Sequence, residues 1–202
     1  MFAPSKLLWA LIGLILTIGS TWLEAFVFKV PWGAWWNGSG GGLEVYSLGV
    51  SFQVGAALFT GCMGGRNAAA FSQIAYIALG IVLFERFGFV VFSQGAGVGY
   101  LREPSFGYLL GFVPGGWLCG LLAFRAKRSL ERLGFACLCG LLVVHLCGLM
   151  YLVLGHLFRW LPATPALGVA IMDYSVDQIL GQIMVSCAVA LIAWALRRLL
   201  FY

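Results

Sequence analysis

The residues best suited to chemistry lie near the end of the chain, in an otherwise apolar stretch. They are Asp177, Gln178 and Gln182. Residues four apart share a face of a helix, so Asp177 with Gly181, and Gln178 with Gln182, indicate one broad polar face. Ionisable and amide groups are costly near lipid and usually face a cavity or the interior of a bundle. The pattern favours a binding site for a polar ligand, or else hydrogen bonds that hold helices together.

Two other segments carry polar groups that could meet the same ligand. Gln53 is an amide donor and acceptor in the apolar segment 49–55. Gln94, Gly95 and Gly97 belong to a short glycine-rich segment, where the missing side chains let backbone N–H groups approach a bound molecule closely. Each has a plainer interpretation, since a single glutamine can serve packing and glycines can serve a flexible connection.

Enzyme motifs are missing from the sequence. His145 and His156 are 11 residues apart, not at the four-residue spacing that chelates a metal on one helix. The six cysteines form no C-x-x-C pair, and small packing residues in helices explain them. Neither a phosphate-binding loop nor a nucleophile elbow is present. The sequence therefore predicts no catalytic residue, no metal site and no cofactor, and active transport would need energy from a partner or an ion gradient.

Composition restricts the elements that can position these groups. The 202 residues are 62% hydrophobic and only 9% charged, with a mean hydropathy of +0.98. Soluble domains carry about 25% charged residues, so a water-facing fold, a nucleic-acid binder and a disordered chain are excluded. The 28 glycines suit closely packed helices. We expect an all-α integral membrane protein that forms a single membrane domain.

Apolar runs mark the predicted helices, since a span needs about 20 apolar residues. Six transmembrane helices are predicted, over residues 7–28, 46–65, 67–85, 105–124, 133–158 and 170–197. The connections 29–45, 86–104 and 159–169 are predicted to be loops on the outer face. In the first helix, Gly13 and Thr17 would let another helix approach closely, either within the bundle or from another subunit.

The charged residues predict the orientation. Of the 12 Lys and Arg residues, eight lie at the ends assigned to the inside and four at the ends assigned to the outside: Lys29, Arg86, Arg102 and Arg159. Cytoplasmic loops carry the excess of Lys and Arg. We therefore expect both termini in the cytoplasm and a multi-pass protein of the cell membrane.

Four segments together resemble the BioY family, the biotin-binding S components of energy-coupling factor (ECF) transporters. Residues 64–80 resemble the loop and third helix of that family, and residues 103–112 resemble its Gly-Pro-Thr-Gly-Gly-Tyr-Leu-Leu-Gly-Phe stretch. Residues 92–97 occupy the place of its glycine-rich loop, and Ser51–Gln53 is similar to its Thr-Leu-Gln. The resemblance covers roughly residues 45–198.

The resemblance implies capture of biotin from outside and its import with a transmembrane T component and ATPase subunits. If biotin is the ligand, Gln53, Asp177 and Gln182 offer the donors and acceptors that its ureido ring needs, and Phe92 and Tyr108 are expected among the apolar walls. Gln182 stands where the family usually has an aspartate.

For the biotin carboxylate, the implied contacts are the backbone N–H groups of segment 93–97 or the side chain of Arg102. The family's lysine near this point is replaced by Val185.

Two other functions stay open from the residues alone. The histidines and cysteines would suit a small membrane enzyme for lipid or redox substrates, and the apolar helices would suit a structural subunit that scaffolds other membrane proteins. Titration of the purified protein with biotin separates the first hypothesis from both.

Overall fold

A computed structural model describes residues 4–29, 44–88, 91–92, 97–125, 129–162 and 166–200. These residues form a helical bundle with a β-hairpin at one end. The elements in chain order are α1 (Pro4–Ser20), β1 (Glu24–Lys29), β2 (Glu44–Ser51), α2 (Gln53–Phe87), a 3₁₀ helix (Val98–Arg102), α3 (Phe106–Arg125), α4 (Leu130–Leu157) and α5 (Leu167–Leu200).

The bundle has the character of a membrane protein. Among the described residues, four helices, α2 to α5, are long and apolar enough to cross a membrane. α1 is apolar but shorter, with 17 residues. Many large apolar side chains, such as Leu142 and Leu146 of α4, are exposed on the outside of the bundle, where lipid would cover them. The predicted class of helical membrane protein is thereby confirmed.

The hairpin corrects the ends of two predicted helices. The helix predicted over 7–28 ends at Ser20, and the helix predicted over 46–65 begins only at Gln53. In the stretch between them, Glu24–Lys29 and Glu44–Ser51 form antiparallel strands, with Glu24 opposite Ser51 and Lys29 opposite Glu44. Aromatic and β-branched residues favour extended pairing, and Gly49 has a φ of +66°, outside the helical region. Apolar content alone could not distinguish these strands from helix.

α2 is kinked where the sequence suggested a break. Gly65 has φ 81° and ψ 177°, a conformation that an L-residue rarely adopts. The kink falls at the last residue of the predicted helix 46–65, next to the predicted helix 67–85. Gly120 of α3 lies directly against the backbone of Arg66, so a side chain at position 120 would overlap it. The kink therefore sits in a tight contact between α2 and α3.

Glycines bring the helix backbones close together. A Cβ atom at Gly115 of α3 would lie 2.7 Å from the carbonyl oxygen of Gly140 in α4. On α1, a side chain at Gly13 would overlap Thr60 of α2. The small-residue face of α1 is thus used inside the bundle, which decides between the two interpretations left open by the sequence.

α5 is fixed at its far end and irregular near its start. The buried guanidinium of Arg197 donates to the carbonyl oxygen of Ala123, at 3.0 Å, and lies 4.1 Å from the centre of the Phe124 ring. These contacts attach α5 to the end of α3. Near its beginning, α5 contains a π-helical turn, Met172–Val176, immediately before Asp177.

Candidate ligand-binding cavity

A cavity of about 270 Å³ lies between the hairpin, the beginning of α2, and helices α3, α4 and α5. Its wall combines amides and hydroxyls with apolar side chains, which suits a small organic ligand with a few polar atoms. The lining residues are Thr21, Glu24, Gly49, Val50, Ser51, Gln53, Val54, Tyr100, Ser105, Tyr108, Leu109, Phe112, Val144, Tyr174, Gln178 and Gln182. Four of the residues predicted from the sequence are among them: Gln53, Tyr108, Gln178 and Gln182.

α5 presents one narrow polar face to the cavity. Tyr174, Gln178 and Gln182 are four residues apart and all line it. Asp177, which we expected on the same face, is exposed and lies outside the lining. The next residue on its side of the helix, Gly181, packs against β2, where a Cβ atom would lie 2.9 Å from a methyl group of Val50. The broad face predicted from spacing is therefore divided between the cavity and the hairpin.

A chain of hydrogen bonds holds Gln182 in place. The Nε2 atom of His145 lies 3.0 Å from Oε1 of Gln182, and Nδ1 lies 3.3 Å from Oγ of Ser175. The Ser175 hydroxyl is also 2.5 Å from the Tyr108 hydroxyl. A neutral imidazole satisfies this arrangement when its Nε2–H donates to Gln182 and its Nδ1 accepts from Ser175. Gln182 in turn donates through Nε2 to Oε1 of Gln178, at 3.1 Å.

These hydrogen bonds orient the side-chain amides of Gln178 and Gln182. Because Gln182 accepts from the histidine and donates to Gln178, its rotation is restricted and its amide is held in one orientation. The sequence spacing argues against His145 as part of a metal site and does not indicate this positioning role. Its role depends on the packing of α4 against α5, and no local motif reveals that packing.

Gln53 is buried and is oriented by a second network. Its Nε2 atom donates to the Tyr76 hydroxyl at 2.8 Å. That hydroxyl lies 3.0 Å from Oγ1 of Thr21 and 3.3 Å from the carbonyl oxygen of Val91. The network joins the turn after α1, α2 and the segment after α2 behind the cavity wall. With one N–H of Gln53 used in this way, its carbonyl oxygen is available as an acceptor.

Phe92 and Gly97 support the cavity from behind. The buried Phe92 ring stacks on Tyr100, with 4.6 Å between ring centres, and packs so tightly on Gly80 that a side chain there would overlap it. Gly97, with φ 71°, caps the 3₁₀ helix and donates its N–H to the carbonyl oxygen of Gly80 at 3.4 Å. Neither residue lines the cavity. The predicted residues Gln94 and Gly95 lie outside the described part of the chain.

Tyr100, which these contacts support, does line the cavity and was not predicted. Its hydroxyl lies 2.9 Å from Oγ of Ser105. Burial raises the pKa of Tyr100, so the phenol is neutral near pH 7 and can act as a donor. Arg102, two residues further, is exposed and does not line the cavity.

The opening of the cavity carries a carboxylate that the sequence analysis did not single out. Glu24 begins β1, is exposed and lines the cavity. The hydroxyl of Ser47 on β2 donates to Glu24 Oε2 at 2.8 Å. Because we expected helix here, the strand pairing that brings Glu24 to the cavity could not be foreseen.

Three cysteines meet elsewhere in the bundle. The Sγ atom of Cys62 lies 3.6 Å from that of Cys119 and 3.5 Å from that of Cys137, and all three thiols are buried between α2, α3 and α4. Such a set could in principle hold a metal ion. The Cys119 thiol donates to the carbonyl oxygen of Leu58, at 3.6 Å, as a packed cysteine does. None of the three lines the cavity.

A helical membrane bundle with a polar cavity at one end defines a membrane protein that binds a small ligand. The family is identified by comparison. The sequence profile of the BioY family matches residues 42–201, and the chain belongs to this family. The resemblance noted in segments 64–80 and 103–112 is thereby confirmed.

The chain is also similar to two known proteins and to one solved structure. It is 30% identical to the "probable biotin transporter BioY" of Lysinibacillus sphaericus over 145 residues, 71% of this chain and 70% of that protein. It is 34% identical over 113 residues to an uncharacterised 21.2 kDa protein of Cyanophora paradoxa, encoded in the psbX-ycf33 intergenic region. That alignment covers 56% of this chain and 57% of the Cyanophora protein.

The fold is similar to a crystal structure, at 2.1 Å, of the S-component for biotin from an ECF-type ABC transporter. The TM-score is 0.66, at 18% identity, over 96% of this chain and 90% of that one. This similarity supports the arrangement of the helices.

Proposed function

We propose that this chain is the biotin-binding subunit of an ECF-type transporter, and a binding protein without catalytic activity of its own. The observation that carries the proposal is the pair of oriented amides in the cavity of a BioY-family protein. Gln182 and Gln53 approach the cavity from α5 and α2, and each is held by hydrogen bonds from behind. A neutral cyclic urea needs both donors and acceptors, and two amides supply them.

The apolar wall suits the remainder of biotin. Leu109 and Phe112 of α3, Val144 of α4 and Val54 of α2 line the cavity and would contact the thioether ring and the aliphatic tail. We assign no cofactor to the protein. Its ligand is biotin itself.

The proposal includes partners and a place in the cell. Import would require a transmembrane T component and ATPase subunits, since the sequence contains no phosphate-binding loop. We further propose six spans with both termini in the cytoplasm of a multi-pass plasma-membrane protein. The kink at Gly65 supports the division of α2 into two spans, and the excess of Lys and Arg at the predicted inner ends supports the orientation.

The test is titration of the purified chain with biotin in detergent by isothermal calorimetry. We expect saturable binding with one biotin per chain, and no binding of a vitamin of unrelated shape such as riboflavin. A folded protein that gives no saturable signal with biotin would refute the function. Uptake of labelled biotin by cells that express the chain with and without a T component and ATPases tests the partners separately.

A further inference from the structure

The three cysteine thiols that meet between α2, α3 and α4 form a set with the spacing of metal ligands. The Sγ atom of Cys62 lies 3.6 Å from that of Cys119 and 3.5 Å from that of Cys137, and all three sulfurs lie within 4.8 Å of one another. The partners of Cys62 are 57 and 75 residues further along the chain, which is why spacing in the sequence predicted no metal site. All three side chains are fully buried.

Glycines beside the thiols bring the three helices close together. A Cβ atom at Gly61 of α2 would lie 2.8 Å from the carbonyl oxygen of Gly116 in α3. A Cβ atom at Gly140 of α4 would lie 3.0 Å from the Cβ atom of Cys119. Because the backbones already meet this closely, the sulfurs are positioned by helix packing before any ion binds.

The distances between the sulfurs suit an ion with three sulfur ligands. Sulfurs arranged in a plane about 2.3 Å from a metal are separated by roughly 4 Å, so each would move by only a few tenths of an ångström. Thiolates select soft ions such as Cu(I). Structural zinc takes four ligands, and within the described ranges no fourth His, Cys, Asp or Glu joins the three. The set therefore favours Cu(I).

A buried guanidinium near the thiols offsets the charge of such a centre. Arg197 donates to the carbonyl oxygen of Ala123, which is about one helical turn beyond Cys119 on α3. Two thiolates with one Cu(I) carry one net negative charge, which the guanidinium balances. The third sulfur can stay protonated, since the Cys119 thiol donates to the carbonyl oxygen of Leu58 and keeps its sulfur lone pairs for the metal.

A second cavity, of about 320 Å³, leads from the surface toward this cluster. Gly120, which directly follows Cys119, is part of its lining, together with the exposed cations Lys6, Arg66 and Arg125. These charges repel a bare cation but attract the anionic complexes that Cu(I) forms with small thiols. The cavity is therefore a route by which Cu(I) carried by a thiol reaches the cysteines.

We propose that the three cysteines form a binding site for one Cu(I) ion, separate from the cavity proposed for biotin. Cys62 and Cys137 bind as thiolates and Cys119 as a thiol. On binding, the two thiolates lose their protons to water, and no electron is transferred. The bound ion joins α2, α3 and α4, so it stabilises the bundle and takes no part in ligand capture.

The experiment uses the full-length protein, purified without oxygen in its reduced form and titrated with Cu(I) from a coloured Cu(I) chelator. A cluster-only protein carries Cys139→Ala, Cys147→Ala and Cys187→Ala, and its matched control carries Cys62→Ala, Cys119→Ala and Cys137→Ala instead. We expect the cluster-only protein to bind one Cu(I) per chain with sulfur ligands only, as measured by X-ray absorption. The control should bind at least about tenfold more weakly, since loss of a residue that merely orients a ligand already costs roughly 10- to 100-fold.

Single substitutions test whether the cysteines act together. In the cluster-only protein, Cys62→Ala and the closer replacement Cys62→Ser should each weaken Cu(I) binding by at least about tenfold. Cu(I) should also raise the melting temperature of the cluster-only protein, because the ion binds only the folded state.

Three results would overturn the inference. They are equal Cu(I) affinity of the two folded triple variants, unchanged affinity in both folded variants at position 62, and tighter binding of Zn(II) than of Cu(I) by the cluster-only protein. Thermal unfolding shows whether each variant is folded. Biotin is not part of these measurements, so they stand whether or not the proposed function holds.

Discussion

Gln182 and Asp177 are close in sequence but have different surroundings, and this difference can be tested residue by residue. Gln182 lines the cavity, while Asp177 is exposed outside it. Loss of a buried hydrogen-bonding group costs roughly 1–3 kcal/mol, so Gln182→Ala should weaken biotin binding by about 5- to 150-fold. Asp177→Asn should leave the affinity unchanged. Calorimetric titration of both variants checks this, and equal affinity of folded Gln182→Ala and wild type would contradict it.

His145 does not line the cavity and would act on the ligand through Gln182 and, by way of Ser175, through Tyr108, which makes it a positioning residue. His145→Phe keeps a ring of similar size but removes both hydrogen bonds, so Gln182 loses its fixed orientation. A typical hydrogen bond contributes roughly 0.5–1.5 kcal/mol, and we expect binding to weaken by about 2- to 12-fold. His145→Gln, which can still donate to Gln182, should recover part of the loss.

The control for that prediction is on the same helix. His156 lies outside the cavity lining, and its Nδ1 atom is 2.9 Å from the carbonyl oxygen of Leu152. His156→Phe should not change the affinity for biotin. If the substitutions at 145 and 156 had equal effects on affinity, a general effect on stability would explain both.

Spacing on one helix predicted a shared face for Gln178 and Gln182, and both line the cavity, as does Gln53, the lone amide in an apolar segment. Asp177 is exposed and lies outside the lining, because the hairpin packs against Gly181 on that side of α5, a contact between distant parts of the chain. His145, Tyr100 and Glu24 share no local pattern with these amides. Their roles depend on which helices and strands meet, and a single sequence does not specify that.

At the scale of elements, the contact between α3 and α4 fixes a wall of the cavity. Gly148 of α4 lies against the Tyr108 ring of α3, and a side chain there would overlap the ring. Overpacking typically costs roughly 1–3 kcal/mol. We expect Gly148→Ala to lower the thermal stability and to weaken biotin binding, since Tyr108 lines the cavity.

Gly134 provides the matched control, because it is also in α4 and a Cβ atom there would meet nothing within 4 Å. Gly134→Ala should leave binding unchanged and keep or raise the melting temperature, since alanine favours helix by about 1 kcal/mol. Destabilisation of the same size by both substitutions would show that the tight contact at Gly148 is not the cause.

The long helices could be predicted from apolar runs because lipid requires about 20 apolar residues for each span. The hairpin could not, since residues 24–29 and 44–51 are also rich in apolar side chains and only their mutual pairing makes them strands. The hairpin is part of the site, because it supplies Glu24, Gly49, Val50 and Ser51 to the cavity lining.

At the scale of the whole molecule, the orientation predicted from charge can be checked at two exposed positions. Gly99 lies in the 3₁₀ helix near the cavity, and Glu131 lies at the start of α4 at the opposite end of the bundle. In intact cells, a membrane-impermeant maleimide should label Gly99→Cys and should not label Glu131→Cys. The unsubstituted protein gives the background labelling of its native cysteines. Labelling at position 131 but not at 99 would reverse the proposed topology.

The close fit of the Phe92 ring on Gly80 restricts how this part of the protein can change during evolution. A side chain at position 80 and an aromatic ring at position 92 would occupy the same space. Related sequences that have lost the glycine should therefore carry a smaller residue in place of the phenylalanine, so the two positions should covary. A change at either position alone would disturb the stacked Tyr100 and, through it, the cavity. Substitutions at these two sites are therefore expected to occur in pairs.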